Sequence, residues 1–212
     1  MAYVGKKFPN LTVDAMDEMG DTFKINVLEE ATKNNKKVLL FWYPKDFTFV
    51  CPTELHAFEA AKAEFEKRNT IVIGASCDTP EVHFAWLSTP KDNGGIEGVS
   101  YPILADSNRN LSATLGILDV ANETYNEDTG VVLVEGDNVS YRATYLIDEE
   151  GVVRHESIND MPIGRNVGEC IRLVDALTHN QEKGEVCPAN WEEGKEAMQE
   201  NSKSTAAYLA SH

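Results

Sequence analysis

Cysteine is scarce in this 212-residue chain: four residues, unevenly spaced at 51, 77, 170 and 187. A secreted domain stapled by disulfides would hold more of them at closer intervals, so that class is excluded. No Cys-x-x-Cys occurs and no histidine pair stands at helical ligand spacing, so neither a structural zinc nor any other metal is expected. Basic residues are also few. Lys and Arg number 19 against 35 Asp and Glu, a formal charge of −16 that repels nucleic acid and anionic membrane. Long apolar runs are missing as well. The longest, Val38 to Tyr43, is far too short to cross a bilayer. Met1 to Pro9 contains no apolar stretch of secretory length, so the expected location is cytoplasmic. No repeat or low-complexity tract appears.

What remains is an ordinary globular composition, 42% apolar and 25% charged, long enough for one domain plus an extension. Three short, β-branched or aromatic segments read as buried strands: Val38 to Tyr43, Thr70 to Ala75 and Ala143 to Ile147. Leu55, Phe58, Ala61 and Phe65 recur at helical spacing between the first two, which implies a strand–helix–strand unit with a parallel pair. A second helix is expected from Asp78-Thr79-Pro80-Glu81 onward. Asp148 to Gly151 turns the chain into Val152 to His155, giving a hairpin. A last core helix runs from about Val167 to Leu177, and residues 180–212 read as a polar arm with one short helix. The class is α/β with mixed pairing.

The chemistry gathers after the first strand, in Pro44-Lys45-Asp46-Phe47-Thr48-Phe49-Val50-Cys51-Pro52-Thr53-Glu54-Leu55. Pro52 suits the first turn of a helix, where amides lack internal partners. Cys51 therefore falls at a helix N-terminus, where free N–H groups and the helix dipole favour an anion and a reactive thiolate. A small buried cysteine is the blander reading, and its placement between strand and helix speaks against it. With no second cysteine nearby, a disulfide partner must come from elsewhere. Cys187, in the polar arm within Gly184-Glu185-Val186-Cys187-Pro188, is the candidate. Cys77 and Cys170 stand beside apolar positions and read as packing residues.

Pro-x-x-x-Thr-x-x-Cys, formed by Pro44, Thr48 and Cys51, resembles the active-site motif of the peroxiredoxins. Phe47-Thr-Phe-Val-Cys-Pro-Thr-Glu54 resembles the typical two-cysteine subfamily. His83-Phe-Ala-Trp86, Tyr141 to Asp148, Pro162-Ile-Gly-Arg165 and Gly184 to Pro188 match in family order along nearly the whole chain. The resemblance implies a thioredoxin-like fold, a central mixed sheet flanked by helices. It divides the chain into a peroxidase domain, 1–179, and a C-terminal arm, 180–212. It also implies reduction of hydrogen peroxide and organic hydroperoxides. Cys51 would be the peroxidatic cysteine, oxidised to a sulfenic acid. Thr48 would orient the peroxide, Pro44 would shield the sulfur, and Arg142 would stabilise the thiolate and the leaving oxygen. Glu54 and Arg165 would hold Arg142. Cys187 from a partner subunit would resolve the sulfenic acid as an intersubunit disulfide, reduced in turn by thioredoxin or a dedicated disulfide reductase. No cofactor is required. The family further implies a homodimer, with five dimers in a decamer, some of Phe47, Phe49 and Trp86 lying at the dimer–dimer contact.

Two family features that delay unwinding of the active helix are imperfect here: Gly94-Gly95-Ile96-Glu97 and Tyr208-Leu209. Intermediate to robust resistance to overoxidation is expected. A Cys–His hydrolase using His56 is a rival reading, but its offset on a helix points away from Cys51. A holdase chaperone or redox-signalling role on the same scaffold is the non-enzymatic alternative.

Overall fold

The computed structural model describes residues 2–119 and 122–211. In chain order the elements are β1 (Thr12–Met16), β2 (Thr22–Asn26), α1 (Val27–Asn34), β3 (Lys37–Trp42), α2 (Cys51–Lys67), β4 (Thr70–Ser76), α3 (Pro80–Leu87), β5 (Ile103–Ala105) and α4 (Asn110–Leu115). They continue with β6 (Asn122–Asn126), β7 (Val131–Glu135), β8 (Arg142–Ile147), β9 (Val153–Asn159), α5 (Val167–Lys183) and α6 (Ser202–Ser211). Seven strands form one mixed sheet in the order β2-β1-β5-β4-β3-β8-β9, and β6 with β7 makes a separate two-stranded hairpin.

β3 is central because every one of its residues is buried, which is why it reads as an unbroken apolar run rather than an alternating one. It pairs parallel with β4, Val38 opposite Ile71, and antiparallel with β8, Val38 opposite Ile147. The expected strand–helix–strand unit is thus β3–α2–β4, and the expected hairpin is β8–β9. One face of the sheet packs Val38, Leu40, Trp42, Ile73 and Tyr145 into the main cluster. Truncating a side chain such as Leu40 to alanine there would cost about 2–5 kcal/mol.

The helix ends follow local chemistry. Asn26 accepts from the Glu29 amide at the start of α1, and Asn166 accepts from that of Glu169 at the start of α5. Pro80 sits in the first turn of α3 as expected, although Thr79 makes no side-chain bond to the helix backbone. α5 runs past the expected Leu177 to Lys183 because its last turn is polar and carries no apolar stripe; Gly184, at φ 65°, stops it.

The chain forms two compact units, one ending at Arg165 and the other beginning at Asn166. In the second, α5 is tied to the loop that follows it. Arg172 Nη1 donates to Trp191 O at 3.2 Å, His179 pairs with Glu185 at 2.9 Å and packs at a tilt against Trp191, and Val186 bridges Met198. Among the described residues no helix is long and apolar enough to cross a membrane.

Candidate active site

Tyr43 still donates its amide to Ala75 O in the sheet, and the chain then leaves β3 through Pro44–Val50 to enter α2 at Cys51. The loop is anchored from below. Tyr43 Oη donates to Asp46 Oδ1 at 2.7 Å, and the Asp46 amide donates to Asp78 Oδ2 at 2.9 Å. The other Asp46 oxygen lies 2.7 Å from His83 Nδ1, and His83 Nε2 donates to the Leu104 carbonyl. Burial raises the Asp46 pKa, with His83 opposing the rise. Hydrogen bonds to both Asp46 oxygens, from Tyr43 Oη and at His83 Nδ1, are how so buried a carboxyl is accommodated. Phe47, at φ 55°, takes the left-handed conformation that a non-glycine residue adopts only when its surroundings hold it there.

Cys51 is the first residue of α2 and has no exposed surface. Arg142, opening β8, brings Nη1 to 3.4 Å from the sulfur and to 2.7 Å from Glu54 Oε2, while its Nε donates to Met161 O at 2.6 Å. The other Glu54 oxygen takes the Arg165 amide and its Nη1, both at 2.9 Å. Arg165 is fixed in turn by Thr144 Oγ1 and the carbonyls of Trp42 and Ala143. Each of these three charged side chains is about as buried as the core, 4% exposed. Two guanidiniums therefore share one carboxylate. A buried positive charge without a counter-ion is costly, and one carboxylate faces two of them here.

The sulfur lies at the base of a cleft of about 450 Å³. Pro44, Thr48, Phe49, Arg142, Met161 and Pro162 line it with Cys51. Thr48 Oγ1 donates to Lys45 O at 2.9 Å, which commits its proton and leaves its lone pairs for a ligand. Pro44, Thr48, Cys51 and Arg142 thus meet around one cleft, with Glu54 and Arg165 joined behind it. Cys187 belongs to the second unit. It is half-buried, its thiol directed at Ala176 O at 3.6 Å. Burial raises its pKa, with Arg172 lowering it and Glu185 raising it.

His56 donates to Gly95 O at 3.0 Å, which turns its ring to the loop after α3 and removes the basis for a Cys–His hydrolase. Cys77 and Cys170 are buried, and burial raises the Cys77 pKa. Trp86 is buried, whereas Phe47 is 54% and Phe49 95% exposed. Among the described residues no group of three or more His, Cys, Asp or Glu could hold a metal ion. Sequence reasoning missed the Tyr43–Asp46–His83–Asp78 anchor. Its one signal in the sequence is His83, within the His83-Phe-Ala-Trp86 motif.

Residues 4–156 match the AhpC/TSA family, and residues 176–210 match the C-terminal domain of 1-Cys peroxiredoxin. Peroxiredoxin-2 from Bos taurus is 40% identical over 211 residues, all of this chain and 96% of the relative. Alkyl hydroperoxide reductase C from Helicobacter pylori strain J99 is 43% identical over 85% of this chain and 84% of its own length. The reduced 2-Cys peroxiredoxin of Plasmodium vivax superposes with a TM-score of 0.87 at 36% identity, covering 99% of this chain and 100% of its own. The chain belongs to the AhpC/TSA family, with the thioredoxin-like fold of the peroxiredoxins, and is a thiol-dependent peroxidase.

Proposed function

We propose that Cys51 is the peroxidatic cysteine and that the cluster of Arg142, Glu54 and Arg165 holds it ready for attack. The single observation behind this reading is the Arg142 guanidinium, 3.4 Å from the sulfur and locked by Glu54 at 2.7 Å. The thiolate attacks one oxygen of the hydroperoxide and the O–O bond breaks. Sulfur keeps the attacked oxygen as a sulfenic acid, and the other leaves as water or an alcohol after taking up a proton. Arg142 stabilises the negative charge that develops on the leaving oxygen. Thr48, its own proton given to Lys45 O, accepts from the peroxide O–H and so fixes which oxygen faces the sulfur. Pro44 has no N–H to compete for the peroxide, and its ring keeps bulk water from the sulfur.

Cys187 of a partner subunit then condenses with the sulfenic acid, releasing water and forming an intersubunit disulfide. The first turn of α2 unwinds to let the two sulfurs meet. The body of the chain, 1–179, performs the oxidation, and the arm, 180–212, supplies the resolving thiol. A dithiol reductant, thioredoxin or a dedicated flavoprotein disulfide reductase, restores both thiols by exchange. The setting is a reducing compartment, the cytosol. Dimers assemble five to a ring, and the exposure of Phe47 and Phe49 beside the active loop favours that contact. No cofactor enters the cycle. A non-reducing gel after one equivalent of hydrogen peroxide tests the reading. A covalent dimer is expected from the wild type and from neither Cys51→Ser nor Cys187→Ser; a dimer in either variant refutes the pairing.

A further inference from the structure

The lining of the cleft includes a part of the chain that the cycle above does not use. β6 and β7 pair from Asn122–Glu135 to Asn126–Val131 and stand apart from the main sheet. The base of this hairpin is firmly tied. Leu118 bridges Ser140, the Asp119 amide donates to Val139 O at 2.8 Å, and the Asn138 amide donates back to Asp119 O at 3.1 Å. Arg109 Nε holds Asn138 O at 2.8 Å, and Ser140 Oγ donates to Tyr43 O at 3.0 Å, where the active loop begins. Asp137 and Val139 flank Asn138, whose φ of 52° turns the backbone there, and both line the cleft that includes Cys51.

Resting on the assignment of Cys51 as the reacting thiol, we propose that Asp137 and Val139 are specificity-determining residues that favour uncharged alkyl and aryl hydroperoxides over those bearing an anionic group. Val139 joins Phe49, Met161 and Pro162 in an apolar surface long enough to take the organic part of a substrate. The cleft carries two further charges: Lys45 from the active loop and Asp137 from the hairpin base. Arg142 is already paired with Glu54, so without Asp137 it is Lys45 that would draw an anionic substrate in; with Asp137 present, that attraction is offset. The overall charge of −16 cannot make this distinction locally, because charges beyond about 8 Å are screened at physiological salt. Hydrogen peroxide has neither an organic part nor a charge and is indifferent to both residues.

The test compares a fatty-acid hydroperoxide with its own methyl ester, which differ only in the carboxylate, and adds cumene hydroperoxide. Second-order rate constants are measured for the wild type, Asp137→Asn, Lys45→Gln and Val139→Ala. Each is divided by the rate constant of the same variant for hydrogen peroxide, which removes any general loss of activity. The acid-to-ester ratio is expected to rise about two- to threefold in Asp137→Asn and to fall by a similar factor in Lys45→Gln, with both changes fading in high salt. Val139→Ala is expected to lower the cumene and ester values about threefold. An acid-to-ester ratio unmoved in both charge variants, or cumene turnover unmoved in Val139→Ala, overturns the proposal. Peroxide consumption at the wild-type rate by Cys51→Ser would instead overturn the assignment of the thiol on which it rests.

Discussion

Cys51 and Cys187 carry the same side chain in opposite surroundings. The first has no exposed surface and sits 3.4 Å from a guanidinium, in a cluster where two arginines share one carboxylate. The second is half-buried in a polar loop, its thiol directed at a carbonyl and its pKa raised by burial, with Arg172 lowering it and Glu185 raising it. On the proposed assignment, the thiol that meets the peroxide lies beside buried cations, and the thiol that meets the sulfenic acid lies in a loop outside the sheet. Burial brings two guanidiniums close to Cys51, and around Cys187 it favours the neutral thiol.

Substitutions that erase the contrast should act in a graded order. Cys51→Ser is expected to reduce peroxide turnover by about a thousandfold or more, whereas Cys187→Ser should keep one full round of oxidation and lose only the cycle. Comparable loss of the first round in both variants, read by rapid-mixing consumption of one equivalent, would break the distinction. Arg142→Gln should slow that first round by about a hundred- to a thousandfold. Arg142→Lys should recover part of it, since an ammonium keeps the charge but not the paired donors to Met161 O and Glu54. Glu54→Gln leaves two buried guanidiniums without their carboxylate and should cost about 3–5 kcal/mol in urea unfolding. A loss in the range of surface ion pairs, about 1 kcal/mol or less, would show that the cluster is not closed to water.

The smallest effect belongs to Cys187. Its pKa lies above the ordinary thiol value, so the neutral form dominates near pH 7 and the nucleophilic thiolate grows about tenfold per pH unit until that raised value is reached. Disulfide formation, followed by stopped flow after the first oxidation, should accelerate with pH accordingly. Arg172→Gln removes the charge that lowers the Cys187 pKa and should slow the step about threefold at pH 7. A pH-independent rate would place the limit in unwinding of α2 rather than in the thiol.

The central layer of the fold was legible because β3, β4 and β8 are short, apolar on both faces and separated by periodic helices. β1, β5, β6 and β7 were not. β5 has three residues, β1 is only half-buried, and the hairpin is exposed on the side chains described for Tyr125, Val131, Val132 and Leu133. None of them offers a pattern that a sequence window detects. Cys51 at a helix start followed from Pro52 and the preceding strand alone. The parts played by Arg142, Glu54 and Arg165 were readable only through family resemblance, because they are distant in sequence and meet only when β8 pairs with β3. Asp46, Asp137 and Val139 were invisible for the same reason: each looks like an ordinary loop residue until the chain is folded.

The identity of the reacting sulfur can be tested directly by mass spectrometry of Cys187→Ser after one equivalent of hydrogen peroxide in the presence of a sulfenic-acid trap. The account expects a single adduct, on Cys51, formed as fast as the peroxide disappears, and its loss when Arg142→Gln is added. An adduct on Cys77 or Cys170, or none while peroxide is consumed at the wild-type rate, would contradict it.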